Sequence, residues 1–257
     1  MKPLYFILSL ILSLSLVFSL ICLSGCRDSS TYPSESTSAP STSIAEVIQN
    51  IEYSSELDGV YFFGDSTTHG LIKYNSENDG SLGKTLYRIR RECVITPIGG
   101  TFYLGNLASA RVLYKNERLR IDDAIGKISP EYLIITVGLN GLNYWEKDSF
   151  TQYYEAMLDL IVKKSPETNI IIQSVFPIAE NRSKDFVRLI PERIPIVNGW
   201  IYEICKNYSL TFLDTYSVLA DESGFLPDEF HNGDGIHISC EGYNKIMKNI
   251  IDSGVIK

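Results

Sequence analysis

Short, nearly uninterrupted apolar runs alternate along this chain with segments whose apolar residues recur every three or four positions. The runs are Val60–Phe63, Val94–Ile98, Tyr132–Val137, Ile170–Phe176 and Leu210–Leu213. They are short and rich in β-branched residues, and they lack the polar alternation of a half-exposed sheet. Strands covered on both faces are therefore expected. Between them, Tyr154, Met157, Leu158 and Ile161 form a helical stripe, with Ser149 and Gln152 spaced as a capping box ahead of it and Pro166 beyond it. Val197, Trp200, Ile201, Ile204 and Cys205 make a second stripe, and Tyr243, Ile246, Met247, Ile250 and Ile251 a third. Such alternation predicts an α/β fold, a parallel sheet with helices on both faces. Ligands of these sheets sit outside the carboxyl ends of the strands. The chemistry is therefore sought just after each strand.

Four segments occupy those places: Gly64-Asp65-Ser66, Ile98-Gly99-Gly100-Thr101, Gly138-Leu139-Asn140 and, near the C-terminus, His231 to Ser239. Locally, Gly, Asp and Ser are what any β-turn wants, so the first segment alone leaves two readings open, a turn and a nucleophile. A serine hydroxyl needs a base to take its proton. His237 is the natural base, and Asp234, three residues earlier, can orient it if the loop turns tightly. The tetrahedral intermediate of acyl transfer needs preorganised donors. The Asn140 side-chain amide and the backbone N–H groups of Ser66 and Gly100 are the candidates. A zinc site built on His231, Asp234 and His237 is the competing reading of the last segment, but it leaves the serine unexplained.

Together these blocks resemble the SGNH, or GDSL-type, hydrolase family, in order and in spacing, from about Gly59 to Ile251, roughly three quarters of the chain. The resemblance implies a three-layer α/β/α sandwich around a five-stranded, mostly parallel sheet of flavodoxin-like arrangement. It implies a serine hydrolase acting on ester bonds without metal or organic cofactor. Carried over residue by residue, Ser66 matches the nucleophile, His237 the base and Asp234 its partner. Ser66, Gly100 and Asn140 match the oxyanion hole. In the second block both Gly99 and Gly100 fit, and Gly100 is chosen because the second glycine of such a pair is the donor in similar members. Two departures stand out: Thr67 where the family often has Leu, and Gly141 where it often has a loop-organising Asp.

The N-terminus belongs to something other than the fold. Met1-Lys2 precedes an uncharged apolar run from Leu4 to Leu23, followed by Leu23-Ser24-Gly25-Cys26. A positive start, an apolar core and small residues describe a secretory signal. "LSGC" looks like a bacterial lipobox, with residues 1–25 as the signal and Cys26 as the lipidated residue. The length of the run leaves an uncleaved transmembrane anchor as the rival. Both readings put the rest of the chain outside the cytoplasmic membrane. Residues 26–43, rich in Ser, Thr and Pro, read as a flexible tether, and residues 44–257 as one domain. The net charge of −8 and the absence of a basic cluster argue against nucleic acid as a partner. The partners expected are instead the membrane, through the anchor, and a small acyl ester or acylated glycan. Cys93, Cys205 and Cys240 leave room for one disulfide, with no spacing that supports it, and Cys205 falls on a helix's apolar face.

Around this site, Asp65 is expected to be structural, His69 to lie at a loop or helix start lining the pocket, and His231 to be exposed. Tyr144, Trp145 and Phe176 are core or pocket residues, with Trp145 the expected substrate contact. Ser239 is a candidate N-cap. Residues 178–195 are either a rim over the site or solvated surface. The function expected is an extracytoplasmic, lipid-anchored serine esterase acting on acyl groups such as O-acetyl, on cell-envelope or extracellular glycans. The alternatives are an O-acyltransferase using the same triad and a lipid-anchored binding module whose catalytic site has decayed.

Overall fold

In the computed structural model, which describes residues 53–76 and 84–257, β1 (Val60–Gly64) lies between β2 (Val94–Ile95) and β5 (Tyr132–Thr136). Beyond β5 follow β6 (Asn169–Gln173) and β7 (Thr211–Leu213), and every pairing in this five-stranded sheet is parallel. The expected signal, Cys26 and the tether lie outside the described residues. Helices α1 (Ser66–Ser76), α2 (Ile121–Ile128), α3 (Lys147–Lys164), α4 (Arg193–Tyr208), α5 (Tyr216–Leu219) and α6 (Cys240–Asp252) complete the alternation. From β1 the chain first adds a strand on one side and then crosses to the other. The reversal of winding therefore falls beside β1, where such sheets form a crevice.

The three layers follow from strand periodicity. Successive side chains of a strand point to opposite faces. Phe63, Leu133, Ile135, Ile170 and Ile172 point into a core closed by α2, α3 and α4. Val60, Phe62, Tyr132, Ile134 and Ile171 point into a second core closed by α1 and α6. Most of these side chains are almost fully buried, each contributing on the order of 1.5–3 kcal/mol through its transfer from water.

Several boundaries differ from expectation for identifiable reasons. Strand β2 ends at Ile95 because Pro97 has no N–H for a ladder, and Pro97 forms only an isolated bridge to Val112. Strand β6 ends at Gln173, before the expected Phe176. The backbone of Val175 is taken instead by the Asn198 side chain of α4, which accepts from its N–H at 2.8 Å and donates to its carbonyl at 3.0 Å. The Ser149 capping box is absent: α3 begins at Lys147, and the Ser149 hydroxyl donates to the Glu146 carbonyl at 3.0 Å. A hairpin of β3 (Arg111–Tyr114) and β4 (Glu117–Arg120), followed by α2, was not expected.

Candidate active site

Strand β1 delivers its last residue, Gly64, to the crevice, and α1 begins two residues later at Ser66. Asp65 fixes the junction. Its Oδ1 accepts from the Thr67 N–H at 3.0 Å and from the Thr67 hydroxyl at 2.9 Å. Ser66 thus sits at the N-terminus of a helix, where the backbone N–H groups of the first turn lack internal acceptors and the field favours negative charge. Burial pushes the Asp65 carboxyl above its ordinary pKa, against the opposing bonds from Thr67 and the nearby His237.

Helix α6 brings the C-terminal loop to the same place. Tyr243 donates its hydroxyl to the Thr67 carbonyl and packs against Tyr74, with ring centroids 5.3 Å apart. The Tyr74 hydroxyl in turn donates to Asn244 Oδ1 at 2.6 Å. Ser239 caps α6, its side chain accepting from the Gly242 N–H at 3.1 Å. The loop ahead of it closes on itself. Asn232 N–H donates to the His237 carbonyl at 2.9 Å, and His231 pairs with Ile238 in an antiparallel bridge. His231, expected to be exposed, has a side chain only 8% exposed. Its Nδ1 accepts from the N–H groups of Gly233 and Gly235, so it organises the loop.

This tight loop lets Asp234 and His237 meet. Asp234 Oδ2 lies 2.6 Å from His237 Nδ1, and Oδ1 accepts from the N–H groups of Ile236 and His237 at 2.8 and 2.9 Å. The other ring nitrogen, His237 Nε2, is 3.1 Å from Ser66 Oγ. Phe186 meets the same imidazole edge-on, centroids 5.7 Å apart. Serine, imidazole and carboxylate are thus in one hydrogen-bonded line, the arrangement a general base needs to draw a proton from a hydroxyl. His231 faces its own loop, and among the described residues no group of three or more His, Cys, Asp or Glu is gathered as metal ligands.

The expected oxyanion donors are placed unequally. Asn140 follows β5 across the crevice from Ser66. Its Nδ2 donates to the Phe102 carbonyl at 2.8 Å and makes a long 3.3 Å contact with Asp65 Oδ2. Gly100 differs from expectation: its N–H donates to the Pro97 carbonyl at 2.8 Å. That bond closes a turn with Gly99, φ +92°, at its third position. The Gly100 N–H is therefore spent on the turn. What needs a glycine at position 100 is its φ of +74°, and a Cβ there would also lie a tight 3.1 Å from the His69 ring.

Trp145, the expected substrate contact, is 3% exposed. It stacks on Tyr103 with centroids 5.0 Å apart, and its Nε1 donates to the Asn140 carbonyl at 3.1 Å. It supports the Asn140 loop from behind. Phe176 is likewise buried, whereas Tyr144 is exposed. Gly141, where the family often carries Asp, has φ +82°, and a Cβ would fall 2.3 Å from the Tyr103 ring. An aspartate has no room in this loop. Residues 178–192 form a strap joining the two halves of the site. Ala179 and Ser183 donate backbone N–H groups to the Gly235 and Asp234 carbonyls at 2.8 and 3.0 Å. Asn143 binds the strap at Arg188 and Ile190, and Arg193 donates to the Leu142 and Trp145 carbonyls. No sequence pattern announced that role. A cavity of about 840 Å³ opens at Ser66, lined also by His69, Gly100, His237 and Tyr243.

The model of the GDSL-like lipase/acylhydrolase family matches residues 62–245. No curated protein matches the chain in sequence. Among solved structures, a GDSL-like lipase from Bacteroides thetaiotaomicron VPI-5482 is 19% identical, with 81% of this chain and 95% of that one covered and a TM-score of 0.53. The lipase/acylhydrolase from Enterococcus faecalis is 18% identical, covering 77% and 96%, with a TM-score of 0.52. An acetyl xylan esterase, AlAXEase, is 16% identical, covering 76% and 98%, with a TM-score of 0.51. At these identities the likeness is one of fold.

Proposed function

Because the chain belongs to the GDSL-like lipase/acylhydrolase family, whose members hydrolyse esters, we propose that it is a serine esterase working through an acyl-Ser66 intermediate. The carrying observation is the unbroken line from Asp234 Oδ2 through the His237 ring to Ser66 Oγ, at 2.6 and 3.1 Å. Ser66 Oγ attacks the ester carbonyl carbon while its proton passes to His237 Nε2. Asp234 holds the imidazole in the required tautomer and balances the imidazolium. The tetrahedral oxyanion is met by the Ser66 N–H and by Asn140 Nδ2, which gives up its long contact to Asp65. On collapse, the alcohol leaves with the proton from His237. Water then repeats the sequence on the acyl-enzyme, its proton going to His237 and the acid departing as Ser66 is restored.

The substrate class proposed is an O-acyl ester, O-acetyl included, on a cell-envelope or extracellular glycan. Two features support it: the lipobox-like Leu23–Cys26, which suggests lipid anchoring outside the cytoplasmic membrane, and a fold that also hosts an acetyl xylan esterase. Hydrolysis of p-nitrophenyl acetate tests the chemistry. Ser66→Ala and His237→Ala are each expected to lower kcat by about 10⁴-fold or more. Asn140→Ala is expected to lower kcat by about 10²–10³-fold with KM little changed. Turnover surviving in Ser66→Ala would place the reaction elsewhere.

A further inference from the structure

We infer that His69 is a specificity-determining residue that binds a hydroxyl group next to the scissile ester, so that the preferred substrates are esters of vicinal polyols such as sugars. The inference rests on the serine-esterase reading above and concerns what that site selects.

His69 lies three residues after Ser66 on α1, and side chains at that spacing share a helix face about 5–6 Å apart. It lines the same cavity as Ser66 and His237 and is itself exposed. It also lines a second cavity, of about 470 Å³, that runs along β2 and the β3–β4 hairpin. The imidazole thus stands on the ridge between two concave surfaces, beside the nucleophile.

The ring is held in place there. Nδ1 is 3.0 Å from the Thr96 hydroxyl at the end of β2, and one face lies over Gly100, whose missing Cβ makes the room. With Nδ1 engaged, Nε2 remains as the group that can meet a ligand. The Thr96 hydroxyl can donate to Nδ1 or accept from it, which leaves Nε2 a donor in the first case and an acceptor in the second. An ether or carbonyl oxygen satisfies only the donor form. A hydroxyl satisfies both, because it donates and accepts. In a vicinal polyol monoester that hydroxyl sits on the carbon adjacent to the ester-bearing carbon, so it stays close to the ester as Ser66 attacks.

The test compares kcat/KM for 2-hydroxyethyl acetate and ethyl acetate, which differ only in the neighbouring hydroxyl, by titrating released acid. Wild type is expected to favour the hydroxyl-bearing ester. His69→Ala is expected to lower the ratio of the two constants about three- to tenfold, the worth of one hydrogen bond between neutral groups. His69→Gln, which keeps a donor and an acceptor, is expected to recover part of it. Labelling of Ser66 by a fluorophosphonate in each variant reports that the site is folded. A ratio unchanged in His69→Ala, with wild type hydrolysing both esters, overturns the inference and leaves the esterase reading standing. A wild type that hydrolyses neither ester and takes no fluorophosphonate overturns the esterase reading, and this inference with it.

Discussion

Asp234 uses both carboxylate oxygens, one on the His237 ring and one on two backbone N–H groups. Burial is the largest single influence on its carboxyl and pushes the pKa up. The bonds from His237 and Ile236 together outweigh it and leave the pKa below the ordinary value. The folded chain therefore holds this proton less readily than the unfolded one. The resulting stability is fully present above the usual Asp pKa of about 3.9 and is lost as pH falls through the lower folded value. Urea unfolding of wild type and Asp234→Asn is expected to differ most above about pH 5, and the gap is expected to shrink as pH falls below about 4. A gap independent of pH would show that the carboxylate charge does not matter to the loop. The chemical groups of this site were legible in the sequence because the chemistry requires those residue types. Their supports were not. Trp145 and Gly141 both act through Tyr103, a contact across some forty positions that no local pattern encodes. Gly100 matches the family's donor by position, yet its N–H is consumed by a turn that only backbone geometry reveals.

Among the elements, α3 carries an unsatisfied group in an otherwise apolar stripe. Tyr154 is fully buried between Phe150 and the rest of the first core, and its hydroxyl has no hydrogen-bond partner among the described residues. Tyr154→Phe removes a desolvated polar group at nearly constant shape, so denaturant unfolding is expected to show a gain of about 1 kcal/mol. A loss of that size would mean the hydroxyl is bonded in solution. The strap offers a second check. Asn143→Ala deletes both of its bonds to Arg188 and Ile190. Hydrogen exchange at the Ile190 N–H is expected to accelerate about tenfold, with the sheet unaffected. Equal acceleration in β5 would make the strap part of the global unfolding unit. The β3–β4 hairpin escaped sequence reading because its turn is built from Lys115 and Asn116, both at positive φ, without the glycine that usually marks it. The amphipathic α3, α4 and α6 and the continuous apolar strands were legible because their periodicity is what the two cores demand.

The described residues are held by two apolar cores on either side of one sheet, without a disulfide among them. Cys93, Cys205 and Cys240 are buried, as the default for such thiols requires. Burial, with Glu92 nearby, pushes the Cys93 thiol up to about 11, and burial pushes Cys205 up to about 12. Cys93 and Cys205 are expected to resist a thiol reagent in the folded protein and to react once denaturant is added, as read at each cysteine by peptide mass. Prompt labelling of either without denaturant would mean that the cores open readily. Alternation alone predicts a parallel sheet but not its strand order; the crossover beside β1 was legible only through the family resemblance, whose flavodoxin-like arrangement the observed order β2-β1-β5-β6-β7 matches. That crossover decides where the crevice lies, and with it why residues at positions 66, 140 and 237 converge. The claim that this convergence activates Ser66 is tested most directly by exposing the purified protein to a fluorophosphonate and measuring intact mass. A single adduct is expected, mapped to Ser66, absent in Ser66→Ala and formed at least about 100-fold more slowly in His237→Ala. No adduct on the folded protein, or one that persists in Ser66→Ala, would contradict it.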